Sequence, residues 1–444
     1  MNNILVLGAG KSTTVLIDYL AKKCKEHNWK LSLADLSLET VQRRTKHHED
    51  VVAKKLDVNN VQLRKELIKG SDVVVSMLPP AMHYHIAEDC LELGKHFFSA
   101  SYTDKRLKEK AEEIQNKGLF FLNECGLDPG LDHMSAMKII QREQEAGNHI
   151  SLFKSFCGGL LSPKHAGENP WNYKFTWNPR NVVVAGKGVS TFIRNGYYKF
   201  IPYHMLFKRT ESVDFPKLGS FEAYPNRDSL SYRSIYGLDS IPTILRGTLR
   251  NKGFCRAWNI LVMLGLTDDS FELDLPEGFS CQMLTNAFLP YDPQMTPQQK
   301  IKQLIPDLDK ENLEKLAWLG MFSTEKLPKR TGTPAEILLA ILEQKWKMNP
   351  EDRDMVLMQH QFTVVGGGKS RSIYSDLTVM GDDQEYTAMA KTVGYPLGAA
   401  VYLFMKGQFK TRGILLPILK EIYAPILEEV AKFGIEFQER TLDA

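Results

Sequence analysis

The chemistry-bearing residues of this chain begin almost at its start. Gly8-Ala9-Gly10-Lys11-Ser12-Thr13 stands directly behind the apolar run Ile4-Leu5-Val6-Leu7. A helical pattern through Val15, Leu16, Ile17, Tyr19 and Leu20 comes next, then a second short strand, Lys30 to Ala34, ending on Asp35. Strand, glycine turn, helix, strand and acid are the plan of a βαβ dinucleotide site. The glycines let a pyrophosphate approach the main chain, and the helix N-terminus offers it unpaired N–H groups and a positive dipole end. Thr13 replaces the usual third glycine, a packing position where a small residue can serve. Asp35 can accept from both adenosine ribose hydroxyls and would repel a 2′-phosphate, so the expected cofactor is NAD, with NADP disfavoured. Gly10-Lys11-Ser12 and Gly368-Lys369-Ser370 imitate the end of a P-loop, but Leu5 and Thr363 stand where that motif needs its first glycine.

Hydride transfer is the default chemistry of such a site, and three further stretches offer groups for it. Ser99-Ala100-Ser101-Tyr102 follows a strand, where Tyr102 can bind substrate or act as an acid, or simply sit as an amphipathic edge residue. Glu124-Cys125-Gly126-Leu127-Asp128-Pro129-Gly130 places Asp128 in a tight glycine turn at a helix start. It reads either as a cap worth about 1 kcal/mol or as a carboxylate serving as base. The third set is Cys157-Gly158-Gly159, Tyr224-Pro225-Asn226-Arg227-Asp228 and Leu245 to Arg250. Arg227, Arg246 and Arg250, if they converge, suit a substrate with several carboxylates, through bidentate pairs. Cys157 reads first as a small buried residue. His133, His204 and His360 show no metal spacing and read as structural or surface groups; no metal is expected.

The elements that must position these groups alternate between strand and helix up to residue 130. Strands are expected at Val51 to Leu56, Asp72 to Leu78, His96 to Ala100 and Leu119 to Leu122, with helices at Leu38 to Thr45, Val61 to Ile68, Met82 to Leu93 and Leu107 to Asn116. Short strands with helical crossovers give a right-handed parallel sheet, with ligands at the carboxyl ends of its strands. That rim holds Gly8, Asp35, Asp57, Met77, Leu78, Ser99 to Tyr102 and Asn123 to Asp128. After a helix at Met134 to Gln144 the pattern changes to strands at Ser151 to Cys157, Val182 to Ala185, Lys199 to Tyr203 and Ser220 to Tyr224. Polar helices follow, then a hairpin of Met355 to Val365 and Arg371 to Met380, a helix at Tyr386 to Lys406 interrupted at Gly394-Tyr395-Pro396, and a last helix at Pro417 to Phe433.

The fold class is thus α/β, with a Rossmann domain at 1–130. A mixed-sheet α+β substrate domain is expected at 131–255 and 356–444, part of its tail packing on the first domain, with a helical insertion at 256–355. The totals agree with an ordinary globular protein: 444 residues, 43% hydrophobic, 25% charged and net charge +3. Mixed charge gives no case for nucleic acid or an anionic membrane, and no apolar run spans a bilayer. Six scattered cysteines without CxxC pairs fit a reducing setting. With a strand starting by residue 4, no room is left for a signal peptide, so a cytoplasmic location is expected.

These stretches, VLGAG, SASY, NECGLDPGLDHM, SFCGGL, NPWNYKFTW, AYPNRDS, LRGTLRNKGF and YTAMAKTVGYP, together resemble the saccharopine dehydrogenase family, in its glutamate-forming branch. The resemblance runs from residue 4 to about 400. It implies a Rossmann domain, a mixed-sheet substrate domain with a helical insertion, and a homodimer. The implied reaction oxidises the secondary amine of saccharopine, and hydrolysis of the imine releases L-glutamate and 2-aminoadipate 6-semialdehyde. By the family pattern Gly8 to Thr13, Asp35, Leu56, Asp57, Met77, Leu78, Ser99, Ala100, Leu127, Asp128 and Thr176 line the cofactor. Thr176 falls where the family usually has serine. Ser101, Tyr102, Asp128, Cys157, Gly158, Arg227, Thr248, Leu249 and Arg250 line the substrate. Asp128 is the first expected base and Tyr102 the second; Cys157 is the third catalytic candidate, expected chiefly to shape the pocket. Asp35 makes the chain look like the NAD enzymes of the family rather than the fungal NADP members. The alternatives are a relative acting on carboxynorspermidine, disfavoured by the arginines, and a catalytically silent NAD-binding homologue.

Overall fold

Valine-rich and aromatic runs bounded by Gly and Pro become short strands, because β-branched and aromatic side chains pack well on a pleated, buried surface. In this computed structural model, which describes residues 2–165 and 167–443, they are β1 (Asn3–Leu7), β2 (Lys30–Asp35), β3 (Val51–Lys55), β4 (Val73–Ser76), β5 (His96–Ser99) and β6 (Phe120–Leu122). There follow β7 (His149–Leu161), β8 (Val189–Arg194), β9 (Tyr197–Pro202), β10 (Glu211–Phe215), β11 (Gly219–Pro225) and β12 (Thr243–Asn251). Last come β13 (Leu273–Asp274), β14 (Thr331–Gly332), β15 (Asp354–Gly366), β16 (Lys369–Met380), β17 (Gly413–Leu415) and β18 (Gln438–Asp443). The chain divides into two compact units, Met1–His149 with Gly366–Gly368 and Leu377–Arg440, and Ile150–Val365 with Lys369–Asp376 and Thr441–Ala444.

The first unit holds a seven-stranded sheet in the order β17-β6-β5-β4-β1-β2-β3, parallel throughout. Chain order reverses between β1 and β4, which is where such sheets bind nucleotides. Two expectations shift here. The helix read at Leu107 to Asn116 is two short ones, Lys105–Lys108 and Ala111–Asn116. The boundary read at 130 lies at 149, and most of the tail belongs with this sheet. The physical cause is twofold: β17 adds in parallel register to β6, and the helix Ala388–Met405 lies on the helix Thr14–His27.

That second contact depends on glycine. A Cβ at Gly394 would stand 2.7 Å from the Leu16 amide nitrogen, and one at Gly398 2.7 Å from the Tyr19 ring. The helix runs through Pro396 without the expected break, and the Cys125 thiol donates to the carbonyl of Pro396 at 3.6 Å. Gly394→Ala should therefore lower stability by about 1–3 kcal/mol through overpacking, read as a fall in the urea midpoint. Gly70→Ala, whose Cβ meets nothing closer than 3.7 Å, should not; equal midpoints for both would refute the close contact.

The second unit carries a nine-stranded sheet in the order β10-β11-β12-β7-β15-β16-β18, with β8 and β9 attached at β12. β12 pairs antiparallel with β11 and parallel with β7. Val182 to Ala185, expected as a strand, falls instead in and just after the helix Pro179–Val183. The valines favoured a strand, but Asn178 caps the Arg180 and Asn181 amides and Pro179 sits at the first helical position, a stronger local instruction. The helices expected as an insertion at 256–355 do not form a unit of their own. Ile301, Leu316, Leu338 and Trp346 share one core with Phe156, Leu245 and Leu249 of the sheet. Thr296 and Gln299 form the capping box that opens Pro297–Leu304. Among the described residues no helix is long and apolar enough to cross a membrane.

Candidate active site

In the first unit the glycine turn sits against the end of β4. Gly8 has φ +104°, and a Cβ there would fall 2.7 Å from the Met77 carbonyl oxygen, so only glycine fits this crossing. Beside Gly10 a Cβ would meet nothing within 4 Å, which leaves main chain open to a ligand. Lys11–Thr13 form a 3-10 turn leading into the helix Thr14–His27. Thr13 replaces the third glycine by turning its hydroxyl to the Gly10 carbonyl at 2.7 Å while itself buried. These features fit a dinucleotide.

The carboxylate of Asp35 faces inward to the turn. One oxygen accepts from the Ala9 amide at 2.8 Å and the other from the Ser37 amide at 3.1 Å. Leu56, buried, donates its amide to the Asp35 carbonyl at 2.9 Å. Exposed Asp57 accepts from the Asn59 amide at 2.9 Å, as a turn residue does. Met77 and Leu78 are half-buried at the end of β4. Nearby, burial lowers the pKa of His83 to about 4, so it is neutral, with Nδ1 2.8 Å from the Ser76 hydroxyl.

Two loops of the same rim carry the proton-handling candidates. Ser99 is buried and its hydroxyl accepts from the Ser101 amide at 3.0 Å; half-buried Ser101 is followed by Tyr102, half-exposed. Between Gly126 and Gly130 the chain makes a tight turn that presents half-buried Asp128. The Gly126 amide donates to Pro129 at 2.9 Å and the Leu131 amide to Gly126 at 2.8 Å. Buried Leu127 gives its carbonyl to the Asp132 amide at 3.1 Å. A Cβ on Gly126 would lie 3.0 Å from that of Ala100, so the two loops are in contact. His133, read as structural or surface, is fully buried and its Nε2 is 3.0 Å from Glu124. Burial pushes the Glu124 carboxyl up, but hydrogen bonds from His133 and Thr103 outweigh it and hold the group below the usual carboxylate range.

In the second unit the strand registers assemble a polar row. Tyr224 pairs with Thr248, and Thr248 with Cys157, so the three share a face. Arg250 follows on that face, buried, its guanidinium 5.2 Å from the ring centres of Tyr173 and Phe254 and 5.7 Å from that of Tyr224. Among the described residues its hydrogen bonds go to the Leu249 carbonyl, at 3.2 Å, and the Tyr224 hydroxyl, at 3.4 Å, and its Nε finds no partner there. No carboxylate of the described residues pairs with it; cross-strand Glu222 accepts instead from the Cys255 amide at 2.5 Å. The buried Tyr173 hydroxyl makes no hydrogen bond of good geometry, although the Trp177 indole is beside it, and the Thr176 hydroxyl has no partner. Burial pushes Tyr173 up to about 12. Burial also raises Tyr224, against the pull of Arg250 and, more weakly, Arg227. Lys174, between Tyr173 and Thr176, is anchored by Asp352 at 2.6 Å.

Not every expected residue lands in this cage. Gly158 is there for space: a Cβ would fall 2.8 Å from the Leu249 carbonyl oxygen. The Leu249 side chain belongs to the core, so only its main chain can reach a ligand. Arg227 stands exposed beyond β11, its carbonyl accepting from the Thr191 amide at 2.6 Å. Arg246, although buried, stacks on Tyr232 at 3.9 Å instead. Tyr173, which caps the cage, had no role from the sequence.

Comparison with known proteins decides the family. Residues 4–122 match the family described as "Saccharopine dehydrogenase NADP binding domain" and residues 126–435 "Saccharopine dehydrogenase C-terminal domain". The chain belongs to the saccharopine dehydrogenase family. Within it, "Saccharopine dehydrogenase (NADP(+), L-glutamate-forming)" of Schizosaccharomyces pombe is 31% identical over 100% of both chains. The mitochondrial alpha-aminoadipic semialdehyde synthase of Mus musculus is 33% identical over 99% of this chain. This chain spans about half the length of that relative, 48%. The solved apo saccharopine dehydrogenase (L-Glu forming) of Saccharomyces cerevisiae superposes with a TM-score of 0.89 at 30% identity, covering 100% of each chain.

The family corrects one expectation. NAD was read from Asp35, yet the matching nucleotide domain is described as NADP binding, and the S. pombe relative and two further fungal relatives carry NADP(+) in their names. The physical flaw lay in treating Asp35 as a free acceptor. One of its oxygens already braces the glycine turn and the other its own loop at Ser37, and in register beside it stands exposed Lys55, a cation the argument left out.

Proposed function

We propose that the chain is an NADP-dependent, L-glutamate-forming saccharopine dehydrogenase. It would oxidise the secondary amine of saccharopine to an imine that water splits into L-glutamate and 2-aminoadipate 6-semialdehyde. The bound nicotinamide supplies the hydride acceptor. Arg250 carries the assignment: it is a buried guanidinium, caged by aromatics, with no acidic partner among the described residues. Buried charges are costly unless paired, and a substrate carboxylate would supply the pair, with the Tyr173 hydroxyl available to it. Arg227 would take a second carboxylate. Thr248 and Cys157 shape the pocket, as does Gly158 by its lack of a side chain.

The amine must be neutral before it loses hydride, and the attacking water must lose a proton. Asp128 is the group we assign to both proton transfers, with Tyr102 as a second, hydrogen-bonding acid. On the nucleotide side Gly8 to Thr13, Asp35, Leu56, Asp57, Met77, Leu78, Ser99, Ala100, Leu127 and Thr176 complete the assignment. A homodimer and a cytoplasmic setting belong to it too, the latter in keeping with six free, buried cysteines. Light scattering on the purified chain reads the former.

Saccharopine and NADP⁺ should give equimolar NADPH and L-glutamate, with NAD⁺ the poorer acceptor. No turnover of saccharopine, or faster turnover of carboxynorspermidine, would overturn the assignment.

A further inference from the structure

Tyr102 and Asp128 hang on different loops, one after β5 and one after β6. A single buried carboxylate ties both. One oxygen of Glu124 accepts from the Thr103 amide and the Thr103 hydroxyl, both at 3.0 Å. The other oxygen meets His133 Nε2 at 3.0 Å. The Glu124 amide donates to the Ser101 carbonyl at 3.0 Å. Glu124 thus grips the residues on either side of Tyr102. Through His133, in the first turn of the helix Leu131–Glu145, it also holds the far end of the turn that carries Asp128. Glu124 is 6% exposed and His133 0%, and the Glu124 carboxylate is turned to Thr103 and to His133. Glu124 further adopts φ +57°, a conformation that disfavours non-glycine residues and that the surrounding hydrogen bonds hold in place.

We propose that Glu124 and His133 are positioning residues, a crossbar that fixes the spacing between Tyr102 and Asp128. This rests on the function proposed above for those two groups. An ordinary buried ion pair would stabilise the unit without favouring either loop. The crossbar differs because its hydrogen bonds end on Ser101 and Thr103, the neighbours of Tyr102, and span the residues that flank Asp128.

Glu124→Gln removes the charge at constant shape. It should lower kcat on the order of 10- to 100-fold, the penalty of a misplaced catalytic group, with KM for NADP⁺ unchanged within about twofold. His133→Leu should do the same, and His133→Gln, which keeps an N–H near the position of Nε2, should restore most of the rate. Adding Tyr102→Phe to Glu124→Gln should cost little more, since coupled residues are not additive. Independently of turnover, the Thr103 amide, which donates to the Glu124 carboxylate, should exchange with solvent at least about tenfold faster in Glu124→Gln. Unchanged exchange, kcat within about twofold, or multiplicative losses with Tyr102→Phe would each overturn the crossbar. Should the wild type fail to turn over saccharopine, the proposed function falls, while the exchange rates still decide whether Glu124 holds the loop.

Discussion

Arg250→Met is expected to fold at least as stably as the wild type and to lose roughly 30- to 3,000-fold in kcat/KM for saccharopine. The two effects have one cause. In the chain without substrate the guanidinium is buried, its Nε has no partner and no acid of the described residues pairs with it. Replacing such a group by an apolar residue of similar volume is commonly neutral or stabilising. With substrate bound, the same group would pair with a carboxylate in a dry aromatic pocket, and removing it would leave that carboxylate unpaired. Arg250→Lys should fall between, keeping the charge and losing the planar fork. Urea unfolding and initial rates measure the two halves. A destabilised Arg250→Met, or one with kcat/KM within about threefold of wild type, would make Arg250 a structural residue.

The nucleotide half of the fold was readable because its signals are local. A strand buried on both faces reads as an unbroken apolar run, as Val73-Val74-Val75 does, and strand-turn-helix order then leaves few topologies. β17 was not readable. Its three residues gain their strand character from a partner, β6, almost three hundred positions earlier, and nothing in Gly413-Ile414-Leu415 signals that pairing. The tail's share in the first unit was underestimated for the same reason: Gly394 looks like a helix interruption until Leu16 is known to be beside it. Domain limits suffered likewise, since a shared core joins Trp346 to Phe156 without any composition change to mark it.

In the site the split is similar. Gly8 and the Asp128 turn could be read, because glycine at a crossing and an acid before proline are local facts. Arg250 was singled out by residue type, but its cage needs Tyr173 and Phe254, brought together only by the fold. Arg246 was grouped with it on type alone and goes to Tyr232. Asp35 misled because its spacing is that of a ribose acceptor, while its hydrogen bonds to Ala9 and Ser37 depend on how the turn closes. Glu124 and His133 lay inside the recognised motif, but nothing in their spacing revealed that the turn between them folds back and brings them to 3.0 Å.

That turn yields the other large expectation. Gly130→Ala should cost at least about 3 kcal/mol, combining a glycine-only backbone region with overpacking, and should abolish measurable turnover. Gly130 has φ +148°, and a Cβ there would lie 2.1 Å from the Gly126 carbonyl oxygen and 2.2 Å from its amide nitrogen. Both atoms are main chain, so no rotamer change relieves the clash. The turn must open, and opening it moves Asp128, which stands between the two glycines, and loosens the Leu131 amide from the Gly126 carbonyl. Gly126→Ala gives a graded comparison. Its Cβ would stand 3.0 Å from that of Ala100, a tight but yielding contact, so it should lose less stability and keep partial activity. If Gly130→Ala retained the wild-type urea midpoint and kcat within about twofold, or if Gly126→Ala were the more damaging of the two, then the Gly126–Gly130 contact would not be what sets the place of Asp128.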